Sequence, residues 1–402
     1  MANNSTNKIS ELRVALVCDW LTEVGGAENV LAKIANMFPD APIYTSQFRE
    51  KSAPKFFMNR DIRTGWLNIF PRFLRKFMSP LRYFYFAHLQ LREYDLIISI
   101  CNAEAKNISR KNMNKNAIHI SYLQGPPTQY YWGMYDEYMK NPGFGKLNFL
   151  ARLGLKILAR SMRKIDFAAG EKPDFLLANS NYVKDEIAKY YKRKSDVLWP
   201  NVDVETIAKI VAKVTEKDRE NLHKKLFNGE DFFIVSGRQV SWKRIDLAIA
   251  ACVKISANLL VAGYGAEHEK LVTLAEKLGQ NSRIKFLPRY DGIREITEYF
   301  AAAKAFIFPS LEPFGITPVE ALAAGCPVIA FREGGARDFV REGENGVFFA
   351  RQNVDDLATA LEKISRIKFD KNVVKNSAQK FSDDEFAKNL REILTEKLVI
   401  RK

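Results

Sequence analysis

The sequence is poor in the residues that build metal and disulfide chemistry. Its 402 residues include only four cysteines and four histidines. Cys18, Cys101, Cys252 and Cys326 stand in or beside apolar runs, with no Cys-x-x-Cys spacing. That pattern excludes a disulfide framework and a zinc site, and reads as reduced core thiols of a cytosolic protein. There is no Asp-x-Asp and no clustering of His with Asp, so no metal ligand set is expected. No apolar run reaches the roughly 18–20 residues of a membrane span. The opening MANNSTNKIS is polar, so no secretory signal is expected. Acidic residues are in deficit too, 47 against 62 basic ones, for a formal net charge of +15. The excess favours an anionic partner, whether nucleic acid, anionic lipid or a phosphorylated substrate, without choosing among them.

What is present is enough apolar residue, 47%, for a globular protein, and too long a chain for one core. Short apolar runs alternate with helical stretches. In the first half these runs are Arg13–Cys18, Ala41–Thr45, Asp95–Ile100, Ala117–Tyr122 and Phe175–Ala178. In the second half they are Phe232–Ser236, Asn258–Ala262, Arg283–Leu287, Ala305–Pro309, Val328–Phe331 and Gly346–Phe349. Continuous apolar runs of this length, each with a helix nearby, predict strands of parallel sheets buried on both faces. The expected fold class is α/β, with two Rossmann-like, doubly wound domains. The join is placed near Val197–Glu205, which contains Pro200 and Asn201. This gives an N-terminal domain over 1–200 and a C-terminal domain over 201–381, with a last helix over 382–402 that starts at a Ser382 N-cap.

Ligands of open α/β sheets bind at the carboxyl ends of strands, so the loops there carry the candidates. After the first strand comes Asp19-Trp-Leu-Thr-Glu-Val-Gly-Gly-Ala-Glu28. Gly25 and Gly26 would let backbone N–H groups of a helix start approach an anion; an ordinary strand-to-helix turn is the alternative. After the first C-terminal strand, Gly237 is followed by Arg238 and Lys243 with no acid between them. A guanidinium fork and an ammonium suit a diphosphate, against the plainer reading of two solvated cations. Gly263-Tyr-Gly265 lacks the third glycine of a dinucleotide fingerprint, since His268 stands there, and reads as a turn. The stretch Ser310-Leu-Glu-Pro-Phe-Gly-Ile-Thr-Pro-Val-Glu320 holds two acids eight positions apart. Glu320 fits the N3 place of a capping box begun by Thr317, with Pro318 at N1. Glu312 follows a strand end, and the N–H groups of Phe314, Gly315 and Ile316 lie beside it. A carboxylate with backbone donors is the mixture that sugar hydroxyls need.

EPFGITPVEALAAGCPVIA resembles the E-x7-E signature of retaining glycosyltransferases of family 4, also called group 1, which are two-domain GT-B enzymes. SGRQVSWKRID, EGGARDFVREGENGVFF, GGAEN, ANSNYVKDEIAKYY and PNVDV resemble further segments of that family, so the likeness covers nearly the whole chain. It implies two domains facing a cleft, an N-terminal acceptor-binding domain and a C-terminal nucleotide-sugar domain, with the last helix packed back on the first. It implies a hexosyl transfer in which Glu312 holds donor-sugar hydroxyls with help from Phe314, Gly315 and Ile316. Glu320, beside Thr317, would bind the ribose. Arg238 and Lys243 would neutralise the leaving diphosphate, assisted by Gly237 and the Gly25–Gly26 loop, and the loop at Pro288-Arg289 would meet the base. With cations at the leaving oxygen, no metal or cofactor beyond the donor is required. The chain departs from the pattern at Tyr122-Leu-Gln-Gly-Pro-Pro127, where Gln124 replaces the usual histidine. Gln124 can contact a sugar or acceptor hydroxyl but cannot act as a base; Asp19 is a second candidate for such a contact, and His119 reads as core. YYWGMYDEY resembles a run of a GDP-mannose-using subset, without its arginine, which is Thr128 here.

The expected activity is transfer from a nucleotide sugar to a saccharide or polyprenyl-linked acceptor in surface-polysaccharide synthesis, in the cytoplasm or on the inner face of the cell membrane. Trp66–Phe86 has eight aromatics, four basic residues and no acid. It reads as a helical pair with a core face and a solvated face, as an interfacial helix on anionic lipid, or as a nucleic-acid surface. Two rivals stay open. One is an epimerase or phosphorylase on the same fold. The other is a basic lipid- or nucleic-acid-binding protein with a degenerate cleft, although such a binder would have no use for the paired acids; no nucleic-acid partner is expected.

Overall fold

The computed structural model describes residues 11–400 except 24, 129, 130, 134, 141–146, 280 and 281. The chain forms two compact units, Met1–Trp199 with Phe386–Lys402, and Pro200–Glu385.

The first unit holds a seven-stranded sheet: β1 (Val14–Cys18), β2 (Ile43–Thr45), β3 (Ile62–Thr64), β4 (Leu96–Cys101), β5 (Ile118–Leu123), β6 (Phe175–Ala178) and β7 (Asp196–Val197). Its order is β3-β2-β1-β4-β5-β6-β7 and every pairing is parallel. The central strands β1, β4 and β5 are buried along their whole length, as a parallel sheet covered on both faces requires. Alternation sorts the side chains. Val14, Leu16 and Cys18 enter one core, and Ala15 and Val17 the other. Three helices of this unit matter below: α1 (Gly26–Met37), α2 (Ser79–Ala87) and α3 (Asn148–Glu171). α1 brings Val30, Leu31 and Ile34 to the first core.

Trp66–Phe86 does not form one interfacial helix. It is two 3-10 turns followed by α2, and Leu67, Met78, Tyr85 and Phe86 enter the second core. Its arginines point to internal acids: Arg72 and Arg75 pair with Glu23, and Arg82 with Glu104. The segment is thus split: part of it packs inward, while Trp66, Ile69, Phe77, Leu81 and Phe84 stay exposed.

In the second unit, α4 (Glu216–Phe227), capped by a reciprocal Thr215–Asp218 box, leads into the sheet. Its sheet comprises β8 (Phe232–Ser236), β9 (Asn258–Ala262), β10 (Ile284–Leu287), β11 (Ala305–Phe308), β12 (Val328–Phe331) and β13 (Gly346–Phe349), in the order β10-β9-β8-β11-β12-β13. All five pairings are parallel. α5 (Ile245–Lys254) and α6 (Ile316–Ala323) follow β8 and β11. The reversal of strand order between β8 and β11 puts the loops after these two strands side by side, at the switch point where such sheets take ligands.

The last helix, α7 (Asp383–Ile400), is capped by Ser382 Oγ, which accepts from the Glu385 N–H at 3.3 Å. Phe386, Leu390 and Leu394 complete the first core of the first unit, and Lys397 reaches Asp196 at 2.7 Å. Among the described residues no helix is long and apolar enough to cross a membrane. The four cysteines are buried free thiols.

Candidate active site

In the second unit, a pocket is lined by Ser236, Gly237, Lys243, Pro309, Ser310 and Glu312 among others. Gly237 leaves β8 at φ +143, a conformation that suits glycine. Arg238 is exposed and Gln239 is buried. Gln239 ties the turn together: its Nε2 donates to the Gly263 carbonyl at 2.6 Å and its Oε1 meets His268 Nδ1 at 2.8 Å. A Cβ on Gly263 or Gly265 would overlap the Gly237 or Gln239 carbonyl. This pair therefore serves a close strand-end packing, which agrees with its reading as a turn.

Lys243 closes a 3-10 turn over Ser241–Lys243. Its Nζ donates to both carboxylate oxygens of Glu312 at 2.6 Å. Ser310 Oγ donates to Glu312 Oε1 at 2.6 Å. Both partners are largely buried, with side chains 24% and 14% exposed. The cation expected at the diphosphate and the acid expected at the sugar thus hold each other. Ser310, which the sequence reading passed over, orients the acid.

The loop after Glu312 differs from the capping expectation. α6 begins at Ile316, with Gly315 as N-cap at φ +106, and no side chain caps it. Thr317 therefore lies inside the helix, and Glu320 two positions beyond the capping-box place. The left-handed turn that Gly315 allows starts the helix two residues early. A Cβ there would also strike Phe308 Cζ at 2.7 Å. The N–H groups of Phe314, Gly315 and Ile316 have no partner among the described residues, as the first turn of an uncapped helix leaves them. Phe314 is buried against Phe339 and Phe381. Glu320 has no side-chain partner there either. It is only partly exposed at the surface, and its carboxyl sits deep enough for burial to push its pKa up to about 7. A second loop supports this one. A Cβ on Gly335 would overlap Phe314 Cα, a Cβ on Gly334 would lie 2.6 Å from the Glu312 carbonyl, and the Gly335 N–H bonds that carbonyl at 2.9 Å. Arg289 stands exposed on the loop after β10.

In the first unit, a pocket at the ends of β1 and β4 is lined by Asp19, Trp20, Glu28 and Asn102 among others. Asp19 is buried and accepts four backbone N–H groups, from Asn102, Ala103, Glu104 and Ala105, at 2.6–2.9 Å. With its lone pairs occupied, it shapes the loop after β4 instead of offering itself to a sugar. Burial, and the charge of Glu104, nevertheless push its pKa up. Gly25 caps α1 and Gly26 opens it. A Cβ on Gly25 would lie 2.8 Å from Glu28 Oε2, so a carboxylate of the chain already faces this helix start. Gln124 is buried just past β5 with its side chain facing the Tyr122 hydroxyl; among the described residues its Nε2 makes no full hydrogen bond, and the neighbouring Asn179 Oδ1 accepts none. Asn179 Nδ2 donates to the Gln124 carbonyl at 2.8 Å. An unmet donor and an unmet acceptor together suit a hydroxyl. His119 is fully buried in β5, bonded to Ser99 Oγ at 2.9 Å, and burial lowers its pKa to about 3. It is a core residue. YYWGMYDEY includes positions 130 and 134, outside the described residues.

Residues 214–381 match the model of the family "Glycosyl transferases group 1". The matched segment is less than half of the chain. It contains all the side chains gathered at the β8 and β11 loops. The chain is 31% identical over 169 residues to an uncharacterized glycosyltransferase, MJ1607, of Methanocaldococcus jannaschii, covering 40% of this chain and 43% of that one. It is 29% identical over 208 residues to the D-inositol 3-phosphate glycosyltransferase of Rhodococcus jostii, covering 48% and 44%. The matched region spans less than half the length of these curated relatives. Among solved structures, Anabaena Alr3699/HepE in complex with UDP and glucose superposes with a TM-score of 0.67 at 20% identity, over 96% of this chain and 100% of that one. Sucrose-phosphate synthase of Thermosynechococcus elongatus does so at 0.67 and 17%, over 96% and 100%. These likenesses establish the fold, two parallel-sheet Rossmann-like units with GT-B neighbours. Among the described residues no three His, Cys, Asp or Glu side chains group to hold a metal ion.

Proposed function

We propose that the chain is a retaining, family 4 glycosyltransferase whose group 1 domain binds a nucleoside-diphosphate sugar. One observation carries this reading: Lys243, Glu312 and three free N–H groups stand on adjoining strand-end loops, and Glu320, with no side-chain partner among the described residues, follows in the second turn of α6. An ammonium for phosphate, an acceptor with donors for a sugar, and a second carboxylate for a ribose diol are the three contacts such a donor needs. The relative complexed with UDP and glucose supports a nucleotide-sugar partner. GDP-mannose is our choice of donor, on the likeness of YYWGMYDEY, with Arg289 at the base.

Donor binding would replace the Lys243–Glu312 bond with two ligand contacts. Lys243 and Arg238 would turn to the diphosphate, beside Gly237, and Glu312 to sugar hydroxyls. Negative charge grows on the leaving oxygen as the glycosidic bond breaks, and pre-placed cations stabilise it. No metal or cofactor is required in this reading. A front-face transfer needs no protein nucleophile, only an acceptor hydroxyl held beside the leaving group. Gln124 and Asn179 would hold a hydroxyl. The Gly25–Gly26 loop could assist a phosphate only if Glu28 moved aside. The acceptor is a saccharide or lipid-linked saccharide of surface-polysaccharide synthesis, bound by the first unit at the cytoplasmic face of a membrane.

Thermal melting against GDP, UDP, ADP and their sugar conjugates, with and without EDTA, tests the donor. At 100 times its dissociation constant a ligand adds about 2.7 kcal/mol of stability. A selective shift with GDP that EDTA leaves unchanged is expected. A selective shift with UDP would replace the donor assignment, and no shift with any nucleotide would overturn the transferase reading.

A further inference from the structure

α3 carries a face that the fold does not use. Ala151, Ala159, Met162, Asp166 and Ala169 point inward, and Met162 and Ala169 join Tyr83 and Tyr131 in a small core. Opposite them, Phe149, Leu150, Leu153 and Ile157 recur at helical spacing, and they are 63%, 50%, 54% and 65% exposed. Leu147 and Leu158 extend the patch at its edges, also exposed. A run of large apolar residues on the outward side of a helix has no place in a solvated surface and marks an interaction site.

The charge beside this patch says what covers it. From Leu147 to Ile165 there are five basic residues and no acidic one. Lys156, Arg160 and Lys164 are exposed. Arg160 and Lys164 continue the outward face one to two turns beyond Ile157. Apolar residues on the outward side with cations along and beyond them are the composition of a helix lying in the interface of an anionic bilayer. A second copy of the chain would bring the same cations against these and be repelled.

We propose that α3 docks the protein on anionic lipid, with Phe149, Leu150, Leu153 and Ile157 entering the acyl boundary and Lys156, Arg160 and Lys164 at the phosphates. The surface is separate from Trp66–Phe86, where Trp66, Ile69, Phe77, Leu81 and Phe84 are also exposed but the arginines are paired with Glu23 and Glu104. It stands independently of the transferase reading.

Flotation of the full chain with phosphatidylcholine vesicles, with and without about 30% phosphatidylglycerol, tests it. Binding is expected only to the anionic vesicles and is weakened by salt. Leu153→Glu with Ile157→Glu should reduce it at least tenfold, and Arg160→Glu with Lys164→Glu should do the same. Because these side chains are exposed, the variants keep the melting temperature of the parent, which separates lost binding from misfolding. Phe149→Trp should show a blue shift of emission on anionic vesicles alone. Undiminished binding by both double variants, or no binding by the parent, would overturn the proposal. So would a dimer of the parent that Leu153→Glu with Ile157→Glu dissociates, because a second copy would then own the face.

Discussion

Glu320 makes a testable statement about pH. Its carboxyl ordinarily titrates near 4.5 and burial raises it to about 7. A group with a raised folded-state pKa contributes stability that is complete below the unfolded value and lost as pH rises through the folded one. Between about pH 4.5 and 7 the folded protein therefore loses stability that Glu320→Gln would retain. The variant should be more stable than the parent at pH 8, by about 1 kcal/mol after allowance for partial exposure, and equal to it near pH 4.5. Melting curves at the two values check this. If the ribose diol bonds the ionised acid, nucleotide affinity should fall as pH drops below about 7 in the parent and stay flat in Glu320→Gln. Lys243 is a second case. Lys243→Ala leaves Glu312 partly buried with only Ser310 as a partner, and removes a cation from the leaving group. Transfer should fall by about 10²–10³-fold in kcat, read in a donor-hydrolysis or transfer assay. Both acids were legible in the sequence because the segment around them resembles the E-x7-E signature and stands among further resembling segments. Their partners were not: the Lys243–Glu312 bond joins residues 69 positions apart, and no local pattern encodes it. Asp19 misled for the same reason, since the four N–H groups that occupy it come from residues 102–105.

At the scale of elements, the apolar runs of the central strands were readable because burial on both faces writes itself as continuous hydrophobicity. β3, with Arg63 and Thr64 exposed, and the two-residue β7 carry no such mark, because edge strands are short and wet. The start of α6 was misread. Thr317-Pro-Val-Glu320 has the letters of a capping box, but the backbone at Gly315 decides, and only the tertiary contact with Phe308 shows why that residue is glycine. Trp66–Phe86 was ambiguous by composition because its arginines find Glu23 and Glu104 only in the fold, while Trp66, Ile69, Phe77, Leu81 and Phe84 remain outside. The Gly334–Gly335 loop yields a prediction. Gly335→Ala would push a methyl into the backbone of Phe314, so the Glu312–Phe314 loop must shift. Transfer per folded molecule should fall more than tenfold, and the melting temperature should fall too, because Phe314 is packed against Phe339 and Phe381. Wild-type turnover in Gly335→Ala would show that this buttress does not set the site.

The whole molecule is two sheets with separate cores, and α7 returns the end of the chain to the first of them. Leu390→Ala should destabilise the protein by about 2–5 kcal/mol through the cavity it opens among Leu16, Val30 and Leu394. Nucleotide affinity per folded molecule should not change, since the side chains that would hold the nucleotide belong to the other unit. Denaturation followed in parallel with nucleotide titration separates the two. The donor-site assignment rests on a division of labour between two acids of one domain, and a single comparison tests it. Nucleoside-diphosphate affinity and sugar transfer should be measured side by side in Glu312→Gln and Glu320→Ala. The account predicts that Glu320→Ala weakens nucleotide binding about tenfold or more through the ribose. Glu312→Gln should leave the bare nucleotide bound and lose most of the transfer. Equal loss of nucleotide affinity in both variants, or full transfer by Glu312→Gln, would contradict it.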